Sequence, residues 1–167
     1  GTAQALMRFF QGQRPRMQRI IQRPSLASDP MKRPHVRFDA RHIQELSEKW
    51  PHAQNDALGY FLWFYSKMAL EGLVEVREEA LATLVDLLFY LQAIQYWQDR
   101  DSGHWEEARK ISASSIGTVL AGLRAFAALC DHCGLYTSQT LAMHKLDGAW
   151  MAAMISTGER ELLRILP

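Results

Sequence analysis

The sequence predicts an all-α fold, and three observations carry that prediction. Apolar residues recur at helical spacing over most of the chain. No β-rich run and no Gly-rich phosphate loop interrupts them, which sets aside the doubly wound and P-loop classes. The 167 residues are 48% hydrophobic and 22% charged, the size and composition of one globular domain able to bury a core.

The first helical pattern runs from Ala3 to Gln22, with Leu6, Phe9, Phe10, Met17, Ile20 and Ile21 at apolar positions. Pro15 interrupts it, predicting one kinked helix or two short ones. Pro24, Pro30 and Pro34 then crowd eleven residues. They make Ser25 to Asp39 irregular, with Val36 and Phe38 able to form a short strand; the whole stretch 23–54 reads as a connecting loop within one domain spanning 1–167. Asn55 to Leu70 is apolar on most of its circumference and stops at Gly72, so a buried helix is expected.

Glu75 to Gln98 reads as a long amphipathic helix that ends in the polar run Gln98 to Gly103. Ser112 to Leu129 is a further helix, with Ser112, Ser114 or Ser115 as its N-cap and Gly134 as its stop. Thr137 or Ser138 opens another to about Ser156, and Gly158 precedes a short last one. Helices nearly apolar all round alternate with more one-sided ones, which predicts two layers, an inner and an outer. Trp63, Trp97 and Trp150 fall at apolar helical spacing and are read as core.

Nineteen Lys and Arg against eighteen Asp and Glu leave a net charge of +1, so no global field recruits nucleic acid or an acidic membrane. Residues 1 to 41 nevertheless carry nine basic side chains against Asp29 and Asp39 alone. Without an RNA-binding motif this end reads as a solvated face, or as a contact with another part of the missing domain. No apolar run is read as a membrane span, and no signal-peptide layout is present; with two cysteines, Cys130 and Cys133, a cytoplasmic location is the expectation. The Cys130-Asp-His-Cys133 run lacks a second ligand pair and is not read as a metal site. No metal or cofactor is expected.

Two loops collect aromatic and carboxylate residues: Trp50-Pro-His-Ala-Gln54-Asn55-Asp56 and Gly103-His-Trp105-Glu106-Glu107. Indole faces stack on sugar rings, while carboxylates and amides bind hydroxyls or pass protons to a glycosidic oxygen. The competing readings are loop-anchoring aromatics, and carboxylates that answer a helix dipole.

Taken with Ser112-Ala-Ser-Ser115-Ile-Gly117, these blocks resemble glycoside hydrolase family 15, both glucoamylases and the related domain of phosphorylase kinase alpha and beta subunits. The likeness runs from about Leu6 to Pro167. It implies part of an (α/α)6 toroid of the six-hairpin type and inverting hydrolysis of α-glucosidic bonds in glucans or oligosaccharides. By that resemblance Glu106 matches the general acid, Glu107 its substrate-binding neighbour, and Trp50 a sugar-stacking tryptophan. Gln54, Asp56 and Trp105 complete the expected binding set.

The departures are an absent early Arg-Asp block and an absent later glutamate, the general base. An inverting glycosidase needs two carboxylates roughly 6.5 to 9.5 Å apart, so the chain by itself is expected to be inactive. It is also expected to be incomplete at early and late helices, and to self-associate or pair with its missing half through exposed apolar surface. The alternative is a non-catalytic regulatory or scaffold domain binding glucan or protein partners. Trp50, Asp56, Glu106 and Glu107 are expected at one end of the helical array, on one concave face.

Overall fold

The computed structural model describes residues 1–46, 50–103 and 108–166. Among the described residues there are six α-helices: α1 (Thr2–Gln22), α2 (Asn55–Leu70), α3 (Glu78–Ala93), α4 (Ala113–Cys133), α5 (Gln139–Met143) and α6 (Gly148–Ile165). The odd helices pack on one another, α1 on α3 and α3 on α5, and the even ones do the same, α2 on α4 and α4 on α6. That alternation is the two-layer arrangement expected from the helix patterning.

Between the layers lies a core from both, in which Met17, Ile20, Leu62, Leu84, Leu87, Leu88, Leu91, Leu123 and Phe126 are fully buried. Phe10 of α1 stacks on Phe61 of α2 with ring centroids 4.2 Å apart. Pro15 does not divide α1, which runs continuously for 21 residues.

The connection after α1 is more ordered than its composition implies. Two 3-10 turns, Pro24–Ser28 and Pro30–Lys32, lead into a two-stranded antiparallel hairpin. Strand β1 (Phe38–Asp39) pairs with β2 (Gln44–Glu45), Phe38 opposite Glu45. Phe38 was expected in a strand; β2 was not, since Gln and Glu give no β signal.

α3 is shorter than the periodicity predicts. It ends at Ala93, where Gln95 takes a left-handed φ of 54° and Tyr96 N donates to Leu91 O at 3.0 Å. This C-terminal turn swings Tyr96 into the core, where its hydroxyl donates to Met154 O at 2.9 Å.

The helix expected from Thr137 to Ser156 is instead a 3-10 turn, the short α5 and the start of α6. Asp147 is the reason, because its side chain accepts from Trp150 N at 2.8 Å and opens a new helix. Gly158 does not break α6. It lets the helix settle on Tyr96, whose hydroxyl would lie 2.0 Å from any Cβ at that position.

Ser112 is the N-cap of α4, accepting from Ser115 N, and Gly134 closes the helix at a φ of 64°. Contrary to the sequence reading, α4 is long and apolar enough to cross a membrane by length and composition, with a mean hydropathy of 1.5. Its apolarity has a use inside the fold, since it packs between α2 and α6 and 56% of that stretch is buried.

α2 and α4 meet backbone to backbone. A Cβ at Gly59 would stand 2.6 Å from the Thr118 carbonyl carbon, and one at Gly122 would stand 2.8 Å from Gly59 O. Gly59→Ala is therefore expected to force the two helices apart and to lower stability by about 3 kcal/mol in urea unfolding. Gly12→Ala, in α1 with open space around it, should raise stability by roughly 0.5 to 1 kcal/mol.

Candidate functional site

Close packing sets α2 and α4 in parallel register. Gly59 lies against Thr118 one turn into each helix, so both N-termini emerge at the same end. The two loops singled out in the sequence lead into these termini, and they are joined there. Ser102 N donates to Ala53 O at 2.6 Å, and Asn55 N donates to Asp101 Oδ2 at 3.0 Å. Asp101 also pairs with Lys110 as an antiparallel bridge, so the residues on either side of His104 to Glu107 are held together. Trp105, Glu106 and Glu107 themselves lie outside the described residues.

Of the other expected site residues, Gln54 and Asp56 are buried at the start of α2. Trp50 is half-buried, and its indole Nε1 finds no hydrogen-bond partner among the described residues. The Arg37 guanidinium lies 3.5 Å above the Trp50 ring, so one stacking face is taken by a cation–π contact. Trp63 is corrected as a core residue: it is 40% exposed on the outer flank of α2, while Trp97 and Trp150 are partly buried against the core.

Beneath the joined loops lies a polar cluster that the sequence did not disclose. Arg33, 1% exposed, makes a bidentate pair with Asp99, Nη1 to Oδ2 at 2.7 Å and Nη2 to Oδ1 at 2.8 Å. Its Nε donates to Ala27 O at 2.8 Å. Asp99 also accepts from Asn55 Nδ2 at 2.8 Å. Arg109, on the far side of the Trp-Glu-Glu block, lies 3.9 Å from Asp99 and donates to Arg100 O and Ser28 O.

One carboxylate thus ties the proline-rich connection, the start of α2 and both flanks of the second loop. Arg14 with Asp86 and Arg16 with Glu45 follow the same pattern. Part of the basic N-terminal segment is accordingly turned inward onto acids from later in the chain, and is not a wholly solvated face.

Burial also shifts titrations here. Asp101 is pushed up to about 6 by desolvation, against the pull of the Ser115 hydroxyl and the Asn55 amide, with Asp56 and Asp99 adding negative charge nearby. His52 is pushed down to about 4, first by burial and then by His35, Arg16 and Arg37. His35 is lowered by burial and by Arg16, with Glu45 opposing. The two imidazoles stack with centroids 3.6 Å apart, joining the proline-rich connection to the Trp50 loop. Among the described residues no group of three or more His, Cys, Asp or Glu is placed to hold a metal ion.

Two layers of helices with a polar, carboxylate-bearing end where the loops ahead of α2 and α4 meet are compatible with a helical glycosidase domain. The family description "Glycosyl hydrolases family 15" matches residues 21–154, and the chain belongs to that family. Domains of the family are (α/α)6 toroids, and the alternating helices are a part of such a ring. No curated protein and no solved structure matches the chain.

Asp99→Asn keeps the shape of the hub but leaves the Arg33 charge buried and unpaired. A loss of about 3 kcal/mol in urea unfolding is expected. The pH dependence separates the remaining groups. A buried His with a lowered pKa contributes stability above the unfolded value near 6.5, and that stability is lost as pH falls towards 4. Asp101, with a raised pKa, acts in the opposite sense, and its cost at neutral pH is relieved as pH falls from about 6 towards 4. Between pH 7.5 and pH 5, His52→Gln should therefore gain about 1 to 2 kcal/mol relative to wild type, and Asp101→Asn should lose a similar amount. Equal slopes for both variants and wild type would contradict these assignments.

Proposed function

We propose that this domain, in the complete protein, performs inverting hydrolysis of α-glucosidic bonds in glucans or oligosaccharides. The observation that carries the reading is the junction of the two loops through Ser102 with Ala53 and Asn55 with Asp101, at the shared end of α2 and α4. It ties Ala53 and Asn55, the neighbours of Gln54, to Asp101 and Ser102 ahead of the Trp105-Glu106-Glu107 block, which supports one shared site. In this reading Glu106 donates a proton to the leaving glycosidic oxygen, while Glu107, Gln54 and Asp56 hold hydroxyls. Trp50 and Trp105 offer apolar ring faces to the sugar. A base carried by sequence outside these 167 residues activates water on the opposite face of the ring. The location proposed is cytoplasmic.

A second reading, a domain that binds glucan or a protein partner without cleaving it, is favoured by the Arg37 guanidinium on Trp50, which occupies a face a sugar would stack on.

Glu106→Gln removes the transferable proton and keeps the shape. In the complete protein it is expected to lower kcat on maltooligosaccharides by about two to four orders of magnitude while glucan binding changes little. Glu107→Gln should weaken binding instead. The purified 167-residue chain should release no glucose, as followed by a coupled glucose assay. Unchanged kcat in the Glu106 variant would remove Glu106 as the acid, and glucan binding with no glucose release by the complete wild-type protein would decide for the non-catalytic reading.

A further inference from the structure

The inward ion pairs use only part of the basic N-terminal segment. Arg14, Arg16 and Arg33 meet Asp86, Glu45 and Asp99. Arg19 meets no carboxylate among the described residues, and its Nε donates to Pro15 O at 3.2 Å. Arg16 and Arg19 stand three residues apart on one face of α1, like charges that repel at that spacing. Lys32, from the second 3-10 turn, comes to the same place, and with Leu26 of the first turn these three cations line a pocket of about 260 Å³. A basic side chain in the last turn of a helix answers the helix dipole, which accounts for Arg19 but not for Arg16 and Lys32 converging on it.

Two carboxylates stand near, and both serve other partners. Glu45 takes Arg16 Nη2 at 3.2 Å, but also Gln13 Nε2 at 2.6 Å and His35 Nδ1 at 3.0 Å. Asp29 accepts from Met31 N at 2.9 Å as the cap of the second turn, and its distance of 3.8 Å to Lys32 Nζ is near the outer limit of ion pairing. Neither lines the pocket. Arg16 is also held by Met31 O, which accepts from its Nη1 at 3.2 Å, so one of the three cations is fixed before any ligand arrives.

We propose that this pocket binds a phosphate dianion, free or as the monoester of a small molecule, with Arg16, Arg19 and Lys32 as its partners. Phosphate offers several acceptor oxygens to two guanidinium forks and an ammonium. The pocket is smaller than the roughly 300 to 1,000 Å³ of drug-sized sites. It takes one phosphate with a small carbon skeleton against Leu26 and leaves no track for a nucleic-acid strand. The site draws on none of the residues assigned to glucan, and it stands whether or not Glu106 transfers a proton.

Equilibrium dialysis of the complete protein against radiolabelled inorganic phosphate tests it, with circular dichroism to follow folding. Saturable binding that glucose does not displace is expected. Arg19→Gln and Lys32→Gln, both at exposed positions, should each weaken it about tenfold or more, the effect of losing one charge-assisted contact. Arg8→Gln removes an equal charge nearer the start of α1 and should change it less than about twofold, since separated surface charges are screened. Displacement by glucose 6-phosphate at lower concentration than by unlabelled phosphate assigns a phosphorylated sugar, its ring against Leu26. Displacement no better than by unlabelled phosphate assigns the free anion, and either supports the site.

Should either variant lose helicity, Arg19→Ala or Lys32→Ala takes its place with the same expected pattern. A wild-type protein with no saturable phosphate binding overturns the proposal. So does an equal loss in all three variants, which would mean a diffuse effect of charge. Displacement by single-stranded RNA at lower concentration than by either small anion overturns it as well, by making the segment a nucleic-acid surface. None of these readouts involves glucose release, so hydrolysis and phosphate binding can fail separately.

Discussion

The contact between Gly59 and Gly122 governs much of what the rest of the molecule does. With side chains at those positions, α2 and α4 would stand farther apart, because Cβ atoms there would meet backbone within 3 Å. Without them the helices lie in parallel and in register, so the loops ahead of both emerge side by side. Everything proposed for the site follows from that adjacency. A carboxylate in one loop and an indole in the other act on one ligand only if both N-termini share an end.

The same packing creates an electrostatic problem that the polar cluster answers. Two parallel helix N-termini concentrate partial positive charge at one end, and Asp56 stands in the first turn of α2. Asp101 and Asp99 lie close by, and their mutual repulsion is offset by Arg33, nearly sealed from solvent, with Arg109 on the open side. A bidentate guanidinium suits that place better than a lysine, since its fixed fork meets both oxygens of Asp99 and its Nε is left for the Ala27 carbonyl. The cluster also links residues far apart in sequence, Arg33 and Asp99 being 66 positions apart. Its formation therefore requires those distant segments to have come together.

An inverting glycosidase needs a proton donor and a water-activating base separated by room for that water. Of the residues expected at such a site, Gln54 and Asp56 are buried at the start of α2 and Trp50 is half-buried in the loop ahead of it.

The sequence by itself determined the helices and the order of the two loops, because both are local. Apolar spacing marks α1, α2 and α4 to within a few residues, and Ser112 and Gly134 announce the ends of α4 through capping chemistry. The family resemblance rested on the Trp-Pro-His-Ala-Gln-Asn-Asp and Trp-Glu-Glu blocks, also read within short windows. Where local signals were weak the reading failed. The break before α6 is carried by an Asp147-Gly148 pair inside a stretch whose apolar spacing continues as one helix, and Gln95 fills a left-handed position where glycine is the usual sign.

Only the tertiary structure decided that Arg33 is buried, that Asp99 is a hub, that His35 and His52 stack, and that Trp63 faces outward. None of these has a local signature. Each depends on which surfaces meet across dozens of residues, and a side chain's burial is a property of that meeting, which the spacing of apolar residues along one helix does not contain.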